Sequence, residues 1–187
     1  MKKQSGFTLI ELVIVVVILG FFAVTAIPKF LDLTDQAQQA NIEGMAGGFA
    51  TGVSLVRAQW EAEGRPQEGT RNSVDYDGSR FYLTTEVAGS VRPGYPVGIG
   101  SGDTLANLDA DACVDIWRNI LQQPPGVTND INELNDEDIM SYYVDKSDTG
   151  NAGAALCHYY LKETLDRNSS GSFVAPATGD KDIGSSF

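Results

Sequence analysis

An apolar segment close to the N-terminus constrains this chain more than any other feature of its sequence. Residues 12–27 contain no charged side chain, and a short leader with Lys2 and Lys3 lies in front of them. One carboxylate, Glu11, stands at the start of the apolar run. A carboxylate in hydrocarbon costs about 2.5–3.5 kcal/mol on insertion scales. Glu11 is therefore a candidate functional residue.

The length of this segment matches a membrane span. Residues 7–27 would form a helix of about 31 Å at 1.5 Å per residue, the thickness of a bilayer's hydrocarbon core. The basic leader and the acidic body predict a cytoplasmic N-terminus, with the rest of the chain on the other side of the membrane. A cleaved secretory signal ending at Val24-Thr25-Ala26 is the alternative. The long apolar run and its internal acid argue against that alternative.

The charge of the chain limits its partners. The 187 residues include 13 basic and 25 acidic side chains, which gives a net charge of −12. Nucleic-acid binding needs clustered Lys and Arg, so this balance argues against a nucleic-acid partner. An acidic surface suits an exported protein that must stay soluble. The length allows one domain in addition to the N-terminal segment.

Helical spacing of apolar residues continues after the membrane segment, as far as Trp60. The pattern predicts one continuous helix with an apolar half, residues 7–28, and an amphipathic half, residues 29–62. Pro28 is expected to kink this helix without ending it. Each glycine inside a helix lowers the stability of the helix by about 1 kcal/mol relative to alanine. We therefore expect the glycines of this helix to have a packing role, in which they let a sheet or a neighbouring helix approach closely. Those glycines are Gly44, Gly47, Gly48 and Gly52.

Residues 63–187 are predicted to form a globular head, which makes the fold α+β. The spacing of apolar residues changes there from helical to alternating, and Asp77-Gly78 marks a tight turn between two antiparallel strands. The predicted elements are strands at residues 74–76 and 80–87, an extended piece at 95–99, a helix at 109–122, and strands at 139–145 and 154–161. The Ser/Gly-rich stretch after Asp166 has a weak pattern and is predicted to be a loop or tail.

The two cysteines, Cys113 and Cys157, lie in the exported half of the chain. A lone cysteine pair outside the cytoplasm is usually a disulfide. Closing this loop would stabilise the head by about 4 kcal/mol at most in the chain-entropy model. Metal ligation is the alternative and fits poorly, because His158 is the only histidine and no Cys-x-x-Cys spacing occurs.

An acidic loop resembles the start of a calcium-binding loop. Residues 145–150 place oxygen-bearing side chains at loop positions one, three and five and a glycine at position six. Position twelve is Leu156, where a bidentate Glu would be needed. We therefore predict a solvated turn and no metal site.

No other pattern predicts catalysis. His158 beside Cys157 is predicted to be structural, since neighbours along a strand point to opposite faces. Trp117 is predicted to be a core residue. Asn168-Ser169-Ser170 matches the acceptor pattern for N-linked glycosylation, a pattern that bacteria use uncommonly. The sequence lacks a phosphate-binding loop and a nucleophile elbow, so we expect neither an enzyme nor a cofactor.

Gly6, Phe7 and Glu11, together with the basic leader, resemble the class III signal sequence of type IV pilins. The resemblance implies that residues 1–6 are removed by prepilin peptidase, which cleaves between Gly6 and Phe7 and methylates the new amine of Phe7. It also implies that Glu11 pairs with the N-terminal amine of a neighbouring subunit during assembly. The amine of its own subunit lies one helical turn away, so the sequence leaves both pairings open.

The chain is identified as a type IVa pilin, and its head resembles the mannose-sensitive haemagglutinin pilins of marine gamma-proteobacteria. This resemblance rests on the cysteine pair, on the segment 113–117 in a helix ending at Pro124-Pro125, and on the stretch 41–44. The resemblance implies the pilin fold, a long N-terminal helix packed on an antiparallel sheet with a disulfide-bonded C-terminal region. As a departure, 30 residues follow Cys157, where those pilins often carry the second cysteine near the C-terminus.

The same resemblance implies a location and partners. The subunit is expected in inner-membrane lipid until assembly machinery in that membrane polymerises it, with itself or with other pilins, into an extracellular pilus for attachment. The alternative is a pseudopilin of a type II secretion system, which shares Gly6, Phe7 and Glu11. Pseudopilin heads commonly use calcium in place of a disulfide, so the cysteine pair favours the pilus.

Overall fold

The structure is a computed structural model that describes residues 7–85, 92–136, 139–146 and 155–176. The chain divides between Asn41 and Ile42 into two units. The first unit is helical wherever it is described beyond Thr8, and the second unit contains all the strands found in the described residues.

Helix α1 runs without interruption from Leu9 to Ala62 and includes Pro28. This confirms the predicted continuity of the apolar and amphipathic halves, and the kink at Pro28 stays a prediction. The helix ends where Gly64 adopts a φ of +82°. The Gly64 N–H donates to the Glu61 carbonyl at 3.1 Å, and the Arg65 N–H donates to the Trp60 carbonyl at 2.9 Å. This pair of hydrogen bonds is the Schellman motif, which satisfies carbonyls that the helix end leaves open.

A four-stranded antiparallel sheet follows α1 and confirms the predicted antiparallel head. Its order is β1-β2-β3-β4, with strands at Gln67–Glu68, Arg71–Tyr76, Ser79–Leu83 and Pro96–Gly98. Asp77 and Gly78 connect β2 to β3 with φ values of +46° and +84°, as a two-residue hairpin turn requires. One face of the sheet packs on the last turns of α1, where Val56 and Trp60 contact Val74, Phe81 and Leu83.

Helix α2, Ala110–Ile120, comes next. Its predicted first residue, Asp109, is the N-cap, and the Asp109 carboxylate accepts a hydrogen bond from the Ala112 N–H at 2.8 Å. One face of α2 is buried, with Cys113 and Trp117 fully enclosed.

A second, three-stranded sheet completes the head with the order β5-β6-β7, at Gly126–Thr128, Met140–Lys146 and Cys157–Leu161. Strand β6 pairs antiparallel with β7 and parallel with β5, so this sheet is mixed. Between β5 and β6 lies a short helix, α3, at Ile131–Asp136. The strands predicted near residues 139–145 and 154–161 are β6 and β7, whereas β5 and α3 were not predicted.

The segment after Asp166 has the predicted loop structure but is not a loose tail over its described part. Arg167 forms an isolated β-bridge with Phe173, and Phe173 is only 8% exposed. Phe173 belongs to a third apolar cluster, whose other members are Leu134, Tyr143, Tyr160 and Leu165. The segment therefore closes one side of the second sheet.

Candidate functional site

Glu11 lies in the first turn of α1 and closes a capping box with Thr8. Its carboxylate oxygen Oε2 accepts hydrogen bonds from the Thr8 N–H at 2.9 Å and from the Thr8 hydroxyl at 2.6 Å. In return, the Glu11 N–H donates to the Thr8 hydroxyl oxygen at 3.3 Å. The first N–H groups of a helix lack partners within the helix, and this reciprocal pair satisfies two of them.

Thr8 is a site residue that the sequence reasoning missed. A threonine followed three residues later by a glutamate, ahead of an apolar run, is the recognised signature of a capping box. The signature is present in Thr8-Leu9-Ile10-Glu11. The charge of Glu11 alone does not indicate this capping role.

The capping box directs the carboxylate of Glu11 towards the N-terminal end of the helix. The Thr8 amide that it binds is joined directly to Phe7, whose side chain is 87% exposed. Consecutive Cα atoms lie about 3.8 Å apart. A positive charge on the nitrogen of Phe7 would therefore lie within one residue of the amide that Glu11 already binds. Gly6 lies outside the described residues.

The first half of α1 exposes its apolar side chains on every side. Exposure ranges from 82% at Leu9 to 48% at Ile18, and Ile27 is 60% exposed. Among the described residues, α1 is the one helix that is long and apolar enough to cross a membrane. So large an apolar surface is unstable in water, so lipid or other protein chains must cover it.

The glycines of the amphipathic half fall into two groups. A Cβ added at Gly52 would overlap the side chain of Ile120 on α2, which confirms the predicted close approach at this position. Among the described residues, nothing lies within 4 Å of a Cβ added at Gly44, Gly47 or Gly48. For these three glycines, close approach by a neighbouring helix stays a prediction.

The cysteine pair is bonded, as predicted, with the Cα atoms of Cys113 and Cys157 5.6 Å apart. The bond joins the buried face of α2 to the first residue of β7. Two residues further along β7, the Tyr159 hydroxyl donates to the Cys113 carbonyl at 2.8 Å. Burial raises the pKa of Tyr159 well above its usual value, so this phenol remains a hydrogen-bond donor at physiological pH.

Trp117 lies at the centre of the aromatic packing next to the disulfide. Its ring centroid is 4.7 Å from that of Tyr159 and 4.8 Å from that of Tyr142. The indole N–H donates to the Pro125 carbonyl at 3.0 Å. Trp117 is therefore a core residue, as predicted.

The remaining candidates form no shared site in the described chain. The ring of His158 stacks on that of Tyr160 at 6.3 Å, an arrangement consistent with the predicted structural role. Residues 147–150 of the calcium-loop candidate lie outside the described residues, and Leu156 is 57% exposed. In the part of the chain that the structure describes, no group of three or more His, Cys, Asp or Glu side chains is placed to hold a metal ion.

The prokaryotic N-terminal methylation motif matches residues 1–27. None of the solved structures matches the chain at a significant level.

Three relatives illustrate the similarity to curated proteins. The major component of the type IV narrow pilus of Thermus thermophilus is 45% identical over 64 residues, which is 34% of this chain and 53% of that protein. A fimbrial protein of Pseudomonas aeruginosa is 31% identical over 116 residues, 56% of this chain and 75% of that protein. The type II secretion system core protein G of Pseudomonas aeruginosa is 35% identical over 68 residues, 36% of this chain and 48% of that protein.

The extent of these matches differs. The chain spans about half the length of the Thermus pilus component and of the secretion protein. It spans three quarters of the Pseudomonas fimbrial protein.

Proposed function

The chain belongs to the type IV pilin family, and on that premise we propose that it is a structural subunit that polymerises into a surface pilus used for attachment. The observation that carries the proposal is the similarity to the Pseudomonas fimbrial protein, because it extends over 75% of that relative. The similarity to the secretion protein is shorter, at 68 residues.

We propose that the chain is made as a precursor. Prepilin peptidase would cleave between Gly6 and Phe7, remove residues 1–6, and methylate the amine of Phe7. The match of residues 1–27 to the N-terminal methylation motif supports this processing. The small side chain of Gly6 and the apolar run that begins at Phe7 fit a protease acting at the membrane surface.

Before assembly, the subunit would be anchored in the inner membrane by residues 7–28, with its N-terminus in the cytoplasm and its head outside. The exposed apolar side chains of α1 support this location. Inner-membrane assembly machinery would then transfer the helix from lipid into the core of the filament. This transfer replaces contacts with lipid by contacts with other subunits, so the apolar surface stays out of water throughout.

We propose that Glu11 holds the positive charge of the Phe7 amine inside the filament core. An unpaired charge in such an environment carries a large desolvation cost, and a close opposite charge offsets much of that cost. The contact between Glu11 and Thr8 supports pairing within one subunit. A contact to the amine of a neighbouring subunit would in addition fix the axial stagger of the filament.

The proposed role is structural, with no catalysis and no cofactor. The largest buried side chains of the described residues, including Trp60, Trp117 and Phe81, pack in the apolar core. The narrower resemblance to the mannose-sensitive haemagglutinin pilins rests on short head motifs and stays a prediction.

A pseudopilin of a type II secretion system is the alternative, favoured by the match to core protein G. Electron microscopy of filaments sheared from intact cells, with mass spectrometry of their subunits, separates the two functions. A pilus subunit is recovered from the sheared filaments as a chain that begins at Phe7. A pseudopilin stays in the cell envelope, and deleting its gene blocks secretion of a protein without removing surface filaments.

A further inference from the structure

We propose that Asn168 is the acceptor of an N-linked sugar, transferred from a carrier on which the sugar is activated as a phosphate ester. The proposal requires that the head be exported, and it does not require that the chain polymerise. It rests on the acceptor pattern Asn168-Ser169-Ser170 and on how the structure presents that pattern.

The pattern lies on an exposed turn of the head. Asn168, Ser169 and Ser170 are all exposed. The turn is closed by the Asn168 N–H, which donates to the Ser172 carbonyl at 2.9 Å, and by the Gly171 N–H, which donates to the Asn168 carbonyl at 2.9 Å. Gly171 has a φ of +87°, a conformation that glycine adopts without strain. A transferase can therefore reach the acceptor without unfolding the core.

The two polar atoms of the Asn168 carboxamide have different surroundings. The oxygen Oδ1 accepts three hydrogen bonds, each 3.0 Å long, from the Ser170 N–H, the Ser170 hydroxyl and the Ser172 N–H. The nitrogen Nδ2 makes no hydrogen bond to any described residue. The atom that would bond to the sugar is thus the one that the turn leaves without a hydrogen bond, in a residue that is exposed.

The three donors also favour the chemistry of the transfer. An amide nitrogen is a weak nucleophile because its lone pair is delocalised onto the oxygen. As a proton leaves Nδ2 for a base on the transferase, negative charge develops on Oδ1, where donors already in place stabilise it. Nδ2 then forms a bond to the anomeric carbon of the sugar, and the bond from that carbon to the phosphate oxygen breaks. The phosphate leaves with the bonding electrons.

A neighbouring charge gives the acceptor a further recognition element. Asp166 is exposed two residues before Asn168, and a carboxylate binds basic groups through charge-assisted hydrogen bonds. Phe173, which is buried, anchors the C-terminal side of the turn. The Arg167 guanidinium carbon lies over the Phe173 ring, 3.7 Å from the ring centroid. The acceptor therefore combines a fixed backbone with an accessible amide.

Mass spectrometry of the full-length chain purified from its native cells tests the proposal. Trypsin cleavage after Arg167 releases a peptide that begins at Asn168, and electron-transfer fragmentation assigns any added mass to one residue. We expect a sugar mass on Asn168. An unmodified peptide, a one-dalton increase from deamidation, or a sugar on a serine instead of Asn168 would each overturn the proposal.

Four substitutions separate glycosylation from a disturbed turn. Asn168→Asp keeps an acceptor oxygen for the three donors but removes the nitrogen, so it should abolish the sugar while the chain stays folded. Ser170→Ala should abolish the sugar as well, whereas Ser170→Thr and Ser169→Ala preserve the acceptor pattern and should keep it. Retention of the sugar in Ser170→Ala, or its loss in Ser169→Ala, would contradict the proposal.

Discussion

The hydroxyl of Tyr159 donates a hydrogen bond to the carbonyl oxygen of Cys113 at 2.8 Å, although 46 residues separate the two in the sequence. Cys157 lies two residues before Tyr159, and residues two apart in a strand face the same way. Strand β7 is therefore attached to α2 twice on one face, once by a covalent bond and once by a buried hydrogen bond.

Tyr159→Phe removes the hydrogen bond and leaves the ring in place. A hydrogen bond of this kind contributes about 1 kcal/mol to stability, so we expect the free energy of unfolding to fall by about that amount. Urea denaturation in detergent, followed by tryptophan fluorescence, measures the change. Tyr76→Phe is the matched control, because the Tyr76 hydroxyl makes no hydrogen bond in the described structure, and its effect should stay within about 0.5 kcal/mol. Equal effects of the two substitutions would contradict the assigned role of Tyr159.

The disulfide should account for a larger part of the stability of the head. Replacing both Cys113 and Cys157 with alanine is expected to lower the free energy of unfolding by about 2–4 kcal/mol. A reductant should destabilise the wild-type chain and leave the double variant unchanged. If reductant destabilised the double variant as much as the wild-type chain, the effect of reductant would not come from the bond between Cys113 and Cys157. Peptide mapping of native material without reductant should find Cys113 joined to Cys157.

Asp115 provides a test that depends on pH. Partial burial raises its pKa, and the nearby Asp103, Asp111 and Asp109 raise it further against the opposing effect of Arg118. Since the folded-state pKa lies above the unfolded value of about 3.9, the folded state binds the proton more readily, and the ionised group disfavours folding at neutral pH. The unfavourable contribution of ionised Asp115 to stability should therefore disappear as the pH falls through the raised pKa.

Asp115→Asn should accordingly raise the melting temperature at pH 7 and lose that advantage below about pH 4. Asp136→Asn removes one negative charge at an exposed position and serves as the control for net charge. Differential scanning calorimetry across this pH range compares the two variants. An equal gain from both at pH 7 would assign the effect to overall charge and not to the surroundings of Asp115.

Gly52 and Gly48 form a matched pair on the same helix. Gly52→Ala would force a methyl group against Ile120, and overpacking of this kind costs about 1–3 kcal/mol. Gly48→Ala adds a methyl group in open space and should stabilise the chain by about 0.5–1 kcal/mol through helix propensity. Denaturation in detergent measures both changes. If Gly52→Ala is as stable as Gly48→Ala, α1 and α2 are not in close contact at this point.

Elements with a strong local pattern could be predicted from the sequence. Helix α1 is long and periodic, Asp77-Gly78 is a specific hairpin turn, and Asp109 is a good N-cap. The disulfide followed from a lone cysteine pair in an exported segment. In these cases the information lies in a spacing that repeats along the chain, in a few neighbouring residues or in a simple count.

The elements that were missed depend on contacts distant in sequence. Strand β5 has three residues and owes its conformation to parallel pairing with β6. Helix α3 has six residues and a single fully buried side chain, Leu134, which is too little to establish a helical period. Phe173 follows a Ser/Gly-rich stretch and is buried only because Arg167 and the second sheet enclose it.

The candidate site was predicted in part. Gly6, Phe7 and Glu11 were proposed from the leader and from the single charge in the apolar run, and their roles stay predictions. Thr8 was not predicted because it carries no charge. It contributes hydrogen bonds to Glu11 in the first turn of the helix.

Thr8→Val separates helix capping from charge pairing at the N-terminus. It removes the hydroxyl that bonds to Glu11 and keeps the carboxylate. Loss of an N-cap side chain costs about 0.5–2 kcal/mol of helix stability. Because the charge that we propose to pair with the Phe7 amine remains, we expect Thr8→Val subunits to enter filaments at close to the wild-type level. Loss of filaments in this variant would show that the charge of Glu11 does not suffice for assembly without the hydroxyl of Thr8.

The most direct test of the account is the fraction of subunits found in sheared surface filaments, relative to the inner membrane, for the wild-type chain and for Glu11→Val. Wild-type subunits should be recovered mainly in filaments and should begin at a methylated Phe7. Glu11→Val subunits should insert into the membrane and be cleaved after Gly6, but remain in the membrane, because the Phe7 amine would enter the filament core without a counter-charge. Recovery of Glu11→Val subunits in filaments at the wild-type level would contradict the proposed mechanism of assembly.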